Sequence, residues 1–235
     1  MANIYEFSSD KIDVFELLID SSGSMEDSSK GVVQGLEMFK KSFENFPEKN
    51  SIAVSVSMFD DDFYPGEFRR VTDFSTRYRA DGGTALFYSI VKGAEHIRNY
   101  VSEVTRRTGI IPKVTFIVFS DGEPCNDRMF RSDGEKAIRD LNYAGVTTVF
   151  VAFGGAIDSN FGKKLGFMST LDVRNRSTLV EFLGVELSKS CKEQSMSMKS
   201  LGANFFSQAV DKGNSEAYSH TTAQALDDDS WIDEI

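Results

Sequence analysis

The sequence predicts an α/β fold: a doubly wound, mostly parallel sheet with one antiparallel edge strand and helices on both faces. Three observations carry that expectation. Between residues 11 and 192, short apolar runs alternate with stretches in which apolar residues recur at helical spacing, the order that strand–helix units impose. The runs Val114–Phe119 and Val149–Phe153 show no regular polar face, as strands covered on both sides require. An acid-, Pro- and Gly-rich turn at Asp60–Glu67 is short enough only for a hairpin, which puts one antiparallel strand at an edge.

The elements follow in order. Val14–Ile19 reads as a first strand ending at Asp20. Val32, Leu36, Phe39, Phe43 and Phe46 step by 4, 3, 4 and 3, which is one face of a helix, so these Phe residues read as core. Ile52, Val54, Val56 and Met58 alternate with polar or small residues, the mark of a strand with unlike faces. Phe68–Thr72 is expected to return as the edge strand after the turn. Leu86, Ile90, Ala94, Ile97, Val101 and Val104 form a second helical stripe, with His96 at its boundary. Pro112 separates it from the strand Val114–Phe119, which leads into Ser120-Asp121-Gly122. A helix over Asp133–Ala144, stopped by Gly145, precedes the strand Thr147–Phe153, which Gly154-Gly155 breaks. A last helix covers Ser177–Lys189.

Composition bounds the function. A net charge of −10 argues against nucleic acid, which needs a basic face; pairs such as Arg69-Arg70 and Arg106-Arg107 read as solvated faces. Two distant cysteines, Cys125 and Cys191, supply neither a disulfide framework nor zinc-ligand spacing, and suit a reducing compartment. Cys125 reads as inert, with no Lys or His beside it in sequence. No stretch is long and apolar enough for a membrane span, and Met1–Asp10 has no secretory pattern, so a cytoplasmic, soluble protein is expected.

Residues 193–235 differ from the rest. They hold 8 acids and 2 bases and end Asp227-Asp228-Asp229-Ser230-Trp231-Ile232-Asp233-Glu234-Ile235. Such a composition buries too little apolar surface to offset chain entropy. A domain over 1–192 and an acidic, largely flexible tail over 193–235 are expected, with a short helix at Met196–Phe206. The plain reading of the tail is a solvating segment; the sharper one has Asp229, Asp233 or Glu234 reach the metal site described next, as a tail-to-site self-contact.

Three pieces fall at the C-terminal ends of strands, where ligands of doubly wound sheets bind. They are Asp20-Ser21-Ser22-Gly23-Ser24 after the first strand, Gly82-Gly83-Thr84 ahead of the second long helix, and Asp121 after Ser120. Asp20, Ser22, Ser24, Thr84 and Asp121 together offer two carboxylates and three hydroxyls. Hard oxygen donors without imidazole or thiolate suit Mg²⁺ or Mn²⁺. Asp20 and the serines alone would read as a helix N-cap loop; the set of three pieces favours a metal. Asp60-Asp61-Asp62 reads as a solvated turn on the rim of that site.

The three pieces resemble the metal-ion-dependent adhesion site (MIDAS) of von Willebrand factor A (VWA) domains, over about residues 11–191. The resemblance implies a VWA, Rossmann-like fold, with Ser22, Ser24 and Thr84 as direct or near-direct ligands and Asp20 and Asp121 binding directly or through water. It also implies a metal position left for an Asp or Glu of a protein partner, and a binding module that is not an enzyme. The overall look is similar to stand-alone bacterial VWA proteins of the tellurium-resistance type, which implies a stress-response or assembly role. A metal-dependent phosphohydrolase using the same oxygens, with Glu123 or Asp127 as general base, is the competing reading. An extracellular adhesin is disfavoured by the missing secretion pattern and disulfides.

Overall fold

The structure, a computed structural model, describes residues 11–197 apart from 123, 126, 155, 156, 158, 174 and 175. Strand β1 (Asp13–Asp20) lies at the centre of the sheet, between β2 (Ile52–Phe59) and β5 (Lys113–Ser120), and runs parallel to both. Beyond β5 come β6 (Thr147–Phe153) and β7 (Ser169–Val173), also parallel. The order is β3-β2-β1-β5-β6-β7, with β3 (Phe63–Tyr64) and β4 (Arg69–Arg70) both antiparallel to β2. The chain therefore winds one way from β1 to β2 and the other way from β1 to β5, and the crevice between β1 and β5 is the switch point at which such sheets bind ligands.

Two apolar layers hold the sheet. Alternate residues of β1 divide between them: Phe15, Leu17 and Ile19 face one layer, Val14 and Leu18 the other. The first layer is closed by α1 (Ser29–Ser42) and by a helical run made of α5 (Arg176–Glu181), a π-helical segment Phe182–Leu187 and α6 (Ser188–Met196). The second is closed by α2 (Leu86–Thr108), α3 (Arg131–Tyr143) and α4 (Ser159–Leu165). The apolar stripes fix which helix faces turn inward: Val32, Leu36 and Phe39 of α1, and Leu86, Ile90, Ala94, Ile97 and Val104 of α2, are all buried. Helix α2 ends on Gly109 and α3 is followed by Gly145, both at positive φ (72° and 79°), the conformation glycine adopts without a Cβ penalty.

Several expectations need correcting. The unlike faces of β2 are both covered: Ser55 and Ser57 are as buried as Val54, on the side of Glu16 of β1, a buried carboxyl to which the Ser57 hydroxyl donates. The edge expected over Phe68–Thr72 is divided into the two-residue strands β3 and β4, since Phe68 turns into the core. Phe46 lies past the end of α1, where it packs edge-on against Phe43 at 5.6 Å. Helix α4 and strand β7 have too few apolar residues in too short a span to show a period. The last helix runs past Lys189 and past the boundary expected near Lys192, to Met196, because Lys113 and Thr115 of β5 bind Gln194. The acidic tail and the rest of the helix expected at Met196–Phe206 lie outside the described residues.

His96 is more than a boundary residue. Its Nδ1 lies 3.1 Å from the Glu16 carboxylate and its ring stacks on Phe68 at 4.9 Å. Arg69 and Arg70 bind Glu67 and Asp73, and Arg106 and Arg107 both bind Glu103, at the surface as expected. No helix among the described residues is long and apolar enough to cross a membrane.

The loop between β3 and β4 is tied to β2 by the Gly66 N–H, which donates to the Ser57 hydroxyl at 2.9 Å. A Cβ at Gly66 would collide with the Val56 carbonyl, a backbone group that cannot rotate away. Gly66→Ala is expected to cost about 1–3 kcal/mol, read as a lower urea midpoint at an unchanged denaturant slope.

Candidate metal centre

The crevice is built around one carboxylate. Asp20 is the last residue of β1 and is wholly buried. Its Oδ1 accepts the Ser22 backbone N–H at 2.9 Å and its Oδ2 accepts the Ser120 hydroxyl at 2.6 Å. The first bond curls the chain tightly after β1, so that Ser22 and Ser24 come back over the strand end; the second ties the ends of β1 and β5 together. The Ser22 and Ser24 hydroxyls lie 3.0 Å apart, and Ser24 donates to Asp121 Oδ1 at 2.7 Å.

Thr84 arrives from a different part of the chain. The Gly23 N–H donates to the Gly82 carbonyl at 3.0 Å, and the Asp81 N–H to the Ser21 carbonyl at 2.7 Å, which zips the two loops together. A Cβ on Gly122 would lie 3.8 Å from Ser24 Oγ and 3.9 Å from Thr84 Oγ1, so both hydroxyls face the same spot beside Asp121. Gly82 has φ +71°, and Cβ atoms at Gly82 and Gly83 would come within 2.7 and 2.5 Å of the Asp61 carboxylate oxygens. The glycine pair therefore lets Asp61 lie flat against the loop, which puts the acidic turn on the rim of the centre as its sequence position suggested.

All five expected residues are thus brought to one place. Ser120, which clamps Asp20, sits in the Ser-Asp-Gly piece, and its role follows only from the register that sets it beside Asp20. Tyr78 gave no sequence signal; its hydroxyl donates to the Asp20 carbonyl at 2.6 Å. Of the two expected general bases, Glu123 lies outside the described residues. Asp127 is buried, and its Oδ2 accepts the N–H groups of Phe87 and Tyr88 at 2.5 and 3.1 Å. It caps the first turn of α2, where a carboxylate satisfies open N–H groups, and that engagement argues against a base. Cys125 is exposed, and its backbone N–H donates to the Thr84 carbonyl at 2.9 Å.

The electrostatics are those of two acids in a shielded crevice. Burial and, to a smaller extent, the Asp121 charge push the Asp20 carboxyl up to about 6 against the pull of its Ser120 and Ser22 hydrogen bonds. Asp121 is itself raised by burial, and the Tyr78 phenol is driven well above its usual range by burial and by both acids. Neither carboxylate is ion-paired to a described side chain. Octahedral ligands ~2.0–2.1 Å from Mg²⁺ stand ~2.8–3.0 Å apart; the Ser22–Ser24 hydroxyl spacing of 3.0 Å lies in that range and the Ser24–Asp121 spacing of 2.7 Å just below it. The donor set, its charge and its spacing fit a small divalent cation. Among the described residues no group of three or more His, Cys, Asp or Glu side chains is arranged to hold a metal by itself, so any ion here depends on the hydroxyls.

No protein-family model matches the chain, and neither does any curated protein. Solved structures do. The pilus adhesin SpaC from Lactobacillus rhamnosus GG, in its open conformation, superposes with a TM-score of 0.63 at 15% identity, covering 78% of this chain and 30% of SpaC. Proximal thread matrix protein 1 from the mussel byssus, with a zinc-occupied MIDAS motif, gives 0.54 at 16% identity, covering 77% of this chain and 46% of its own. Manganese-loaded TRAP protein of Plasmodium vivax gives 0.51 at 13% identity, covering 73% and 72%. The chain spans less than half the length of the first two proteins. At these identities the likeness is one of fold, and the fold of this chain is the VWA, Rossmann-like α/β arrangement.

Two outcomes follow from the geometry. Asp127→Ala is expected to cost about 1 kcal/mol, the usual loss for a helix cap, seen in urea unfolding. The pH response has a definite sign: Asp20 holds its proton more tightly folded, at about 6, than at the ordinary 3.8. Its contribution to stability in chelator therefore grows as pH falls from above 6 towards 4 and is lost as pH rises through 6. Asp20→Asn should flatten that part of the profile and raise the melting temperature in chelator at pH 7.5.

Proposed function

We propose that this chain is a divalent-metal-dependent protein-interaction module. In this reading Asp20, Ser22, Ser24, Thr84 and Asp121 hold Mg²⁺ or Mn²⁺, and an Asp or Glu from a protein partner completes the coordination. The observation that carries it is the convergence, at the β1/β5 switch point, of three hydroxyls and two carboxylates with no cationic partner among the described residues. The zinc-occupied MIDAS of the mussel protein and the manganese-loaded TRAP protein support a divalent ion in a crevice of this fold.

The residues of the chain do three things here. Ser120 and the Ser22 N–H fix the Asp20 carboxylate in one orientation. Ser24 and Asp121 share a hydrogen bond whose oxygens can turn to a cation. Gly82-Gly83 and the Cys125 N–H fix Thr84 against the other hydroxyls. A bound divalent ion would offset the two carboxylate charges and supply an attachment point for an incoming carboxylate, which without it meets like charge.

The phosphohydrolase reading is weaker. Asp127 is held by the α2 N–H groups, and no described cluster of three acids supports a two-metal mechanism. Two cysteines without a disulfide, Cys125 exposed and Cys191 buried, support a reducing, cytoplasmic setting. The tellurium-resistance type of role rests on overall likeness around Asp20–Ser24 and belongs to the same proposal.

The test is direct. Mg²⁺ or Mn²⁺ added to chelated protein is expected to raise the melting temperature, by the equivalent of about 2.7 kcal/mol at a hundredfold excess over Kd. Thr84→Ala should weaken that response and Asp20→Asn abolish it. Because the metal needs the Asp20 carboxylate, affinity should fall by up to about tenfold per pH unit below 6. Partner capture should disappear in chelator, and phosphatase assays with either metal should show no turnover. An unchanged melting temperature at millimolar metal would count against the centre; turnover lost in Asp20→Asn would favour the enzyme.

A further inference from the structure

The end of the domain remote from the metal centre carries a groove of about 720 Å³. Helix α1 starts beside the metal loops and runs back along the sheet, so its last turns lie at the starting ends of the strands. There Lys113, the first residue of β5, donates to the Gln194 carbonyl of α6 at 2.9 Å. The groove lies between those last turns and the helical run Gly184–Met196. Its apolar lining is Met38, Val185 and Met196, which are 44%, 44% and 58% exposed. Lys41, Lys189 and Lys192 line it with one acid, Glu193; Lys189 also feels Glu186 beside it and Lys192 lies over the Phe43 ring, so the lining itself is net basic on a chain of net charge −10.

Local backbone shapes this groove. A Cβ on Gly184 would come within 2.6 Å of the Met38 Cβ, so only glycine lets the two helices approach so closely. The run opens into π-helical geometry over Phe182–Leu187, an uncommon form that tends to be kept where a surface is used.

We propose that this groove is the docking site, within the same molecule, for the segment Asp227–Ile235. That segment carries five acids, one Trp and two Ile, with no base, and so complements both the lysines and the apolar floor. Methionine-lined surfaces adapt readily to an aromatic side chain. Helix α6 ends at Met196, itself a groove residue, and thirty residues lead from there to Asp227. Thirty residues in a flexible coil would span ~27–33 Å and would supply an effective concentration on the order of 1 mM. The metal end is a poor competitor for the same acids unless a cation is present, since Asp20 and Asp121 repel them. The proposal stands whether or not the metal centre is as described above.

Trp231 is the only tryptophan of the chain, so its fluorescence reports this segment alone. In chelator, the dilute full chain is expected to show blue-shifted emission and acrylamide quenching severalfold weaker than a synthetic peptide of residues 225–235. Lys41→Glu combined with Lys189→Glu should return both readings to the peptide values at an unchanged melting temperature, and Val185→Asp should do the same through the apolar floor. Peptide-like emission in the wild-type chain would overturn the proposal without recourse to any variant. So would shielding that neither variant alters, shielding that needs added Mg²⁺ (the segment then sits on the metal centre), or shielding that fades on dilution (the occupant is then a second copy).

Discussion

Everything at the functional end of this molecule depends on a carboxylate being taken out of water at the end of its central strand. Asp20 is wholly buried and is held by hydrogen bonds from Ser22 and from the Ser120 hydroxyl. Desolvating an anion costs several kcal/mol unless hydrogen bonds and opposite charge offset it. The hydrogen bonds are there; the opposite charge is not supplied by any described side chain. Instead Asp121 adds a second negative charge close by. A site built this way is incompletely compensated by the described residues around it, which is the electrostatic basis of the proposed cation site. The loops that complete it are short, zipped to each other by backbone hydrogen bonds and anchored on rigid strand ends, so their hydroxyls are held in place beforehand.

A second buried acid on the same strand has a different solution. Glu16 lies in mid-strand on the α2 side, fully buried. Burial pushes its carboxyl up, and the His96 ring together with the Ser57 and Ser55 hydroxyls pull it back. His96 is in turn stacked on Phe68, which stacks on Tyr100 at 3.9 Å. The network joins β1, β2 and α2 through polar contacts in an otherwise apolar layer. Such a network is net favourable only while every member is present, because removing one partner leaves a buried group unsatisfied. Where Asp20 is left open towards a ligand, Glu16 is closed within the protein.

The two faces of the sheet also differ in how helices meet. On one, α2 lies against β5 through Gly93, whose Cβ position is only 2.9 Å from the Phe116 ring. On the other, α1 approaches the final helical run through Gly35 and Gly184. These contacts set the depth of both layers, and they leave the lysine- and methionine-lined groove exposed at the end opposite the β1/β5 crevice.

By itself the sequence determined the alternation of strands and helices, the parallel central sheet and the five oxygen-bearing residues that the fold brings together at the β1/β5 crevice. Those features depend on local periodicity and on loops that directly follow strands: the stripe Leu86–Val104 and the run Val114–Phe119 can each form only one kind of element. Tertiary structure decided what depends on contacts far apart in sequence. The period of two in β2 records unlike faces, and only pairing with β1 reveals that the polar one is buried and meets Glu16 through Ser57. Asp127 read as a base because acids near a site invite that role, and only the folding of its loop over α2 makes it a helix cap. Ser120 and Tyr78 became supports of Asp20 through the register of β1 with β5 and the path of a loop that carries no motif. Strand β7 and helix α4 were hidden for a plainer reason: they are too short to display a period, and the layers they join hold them in place.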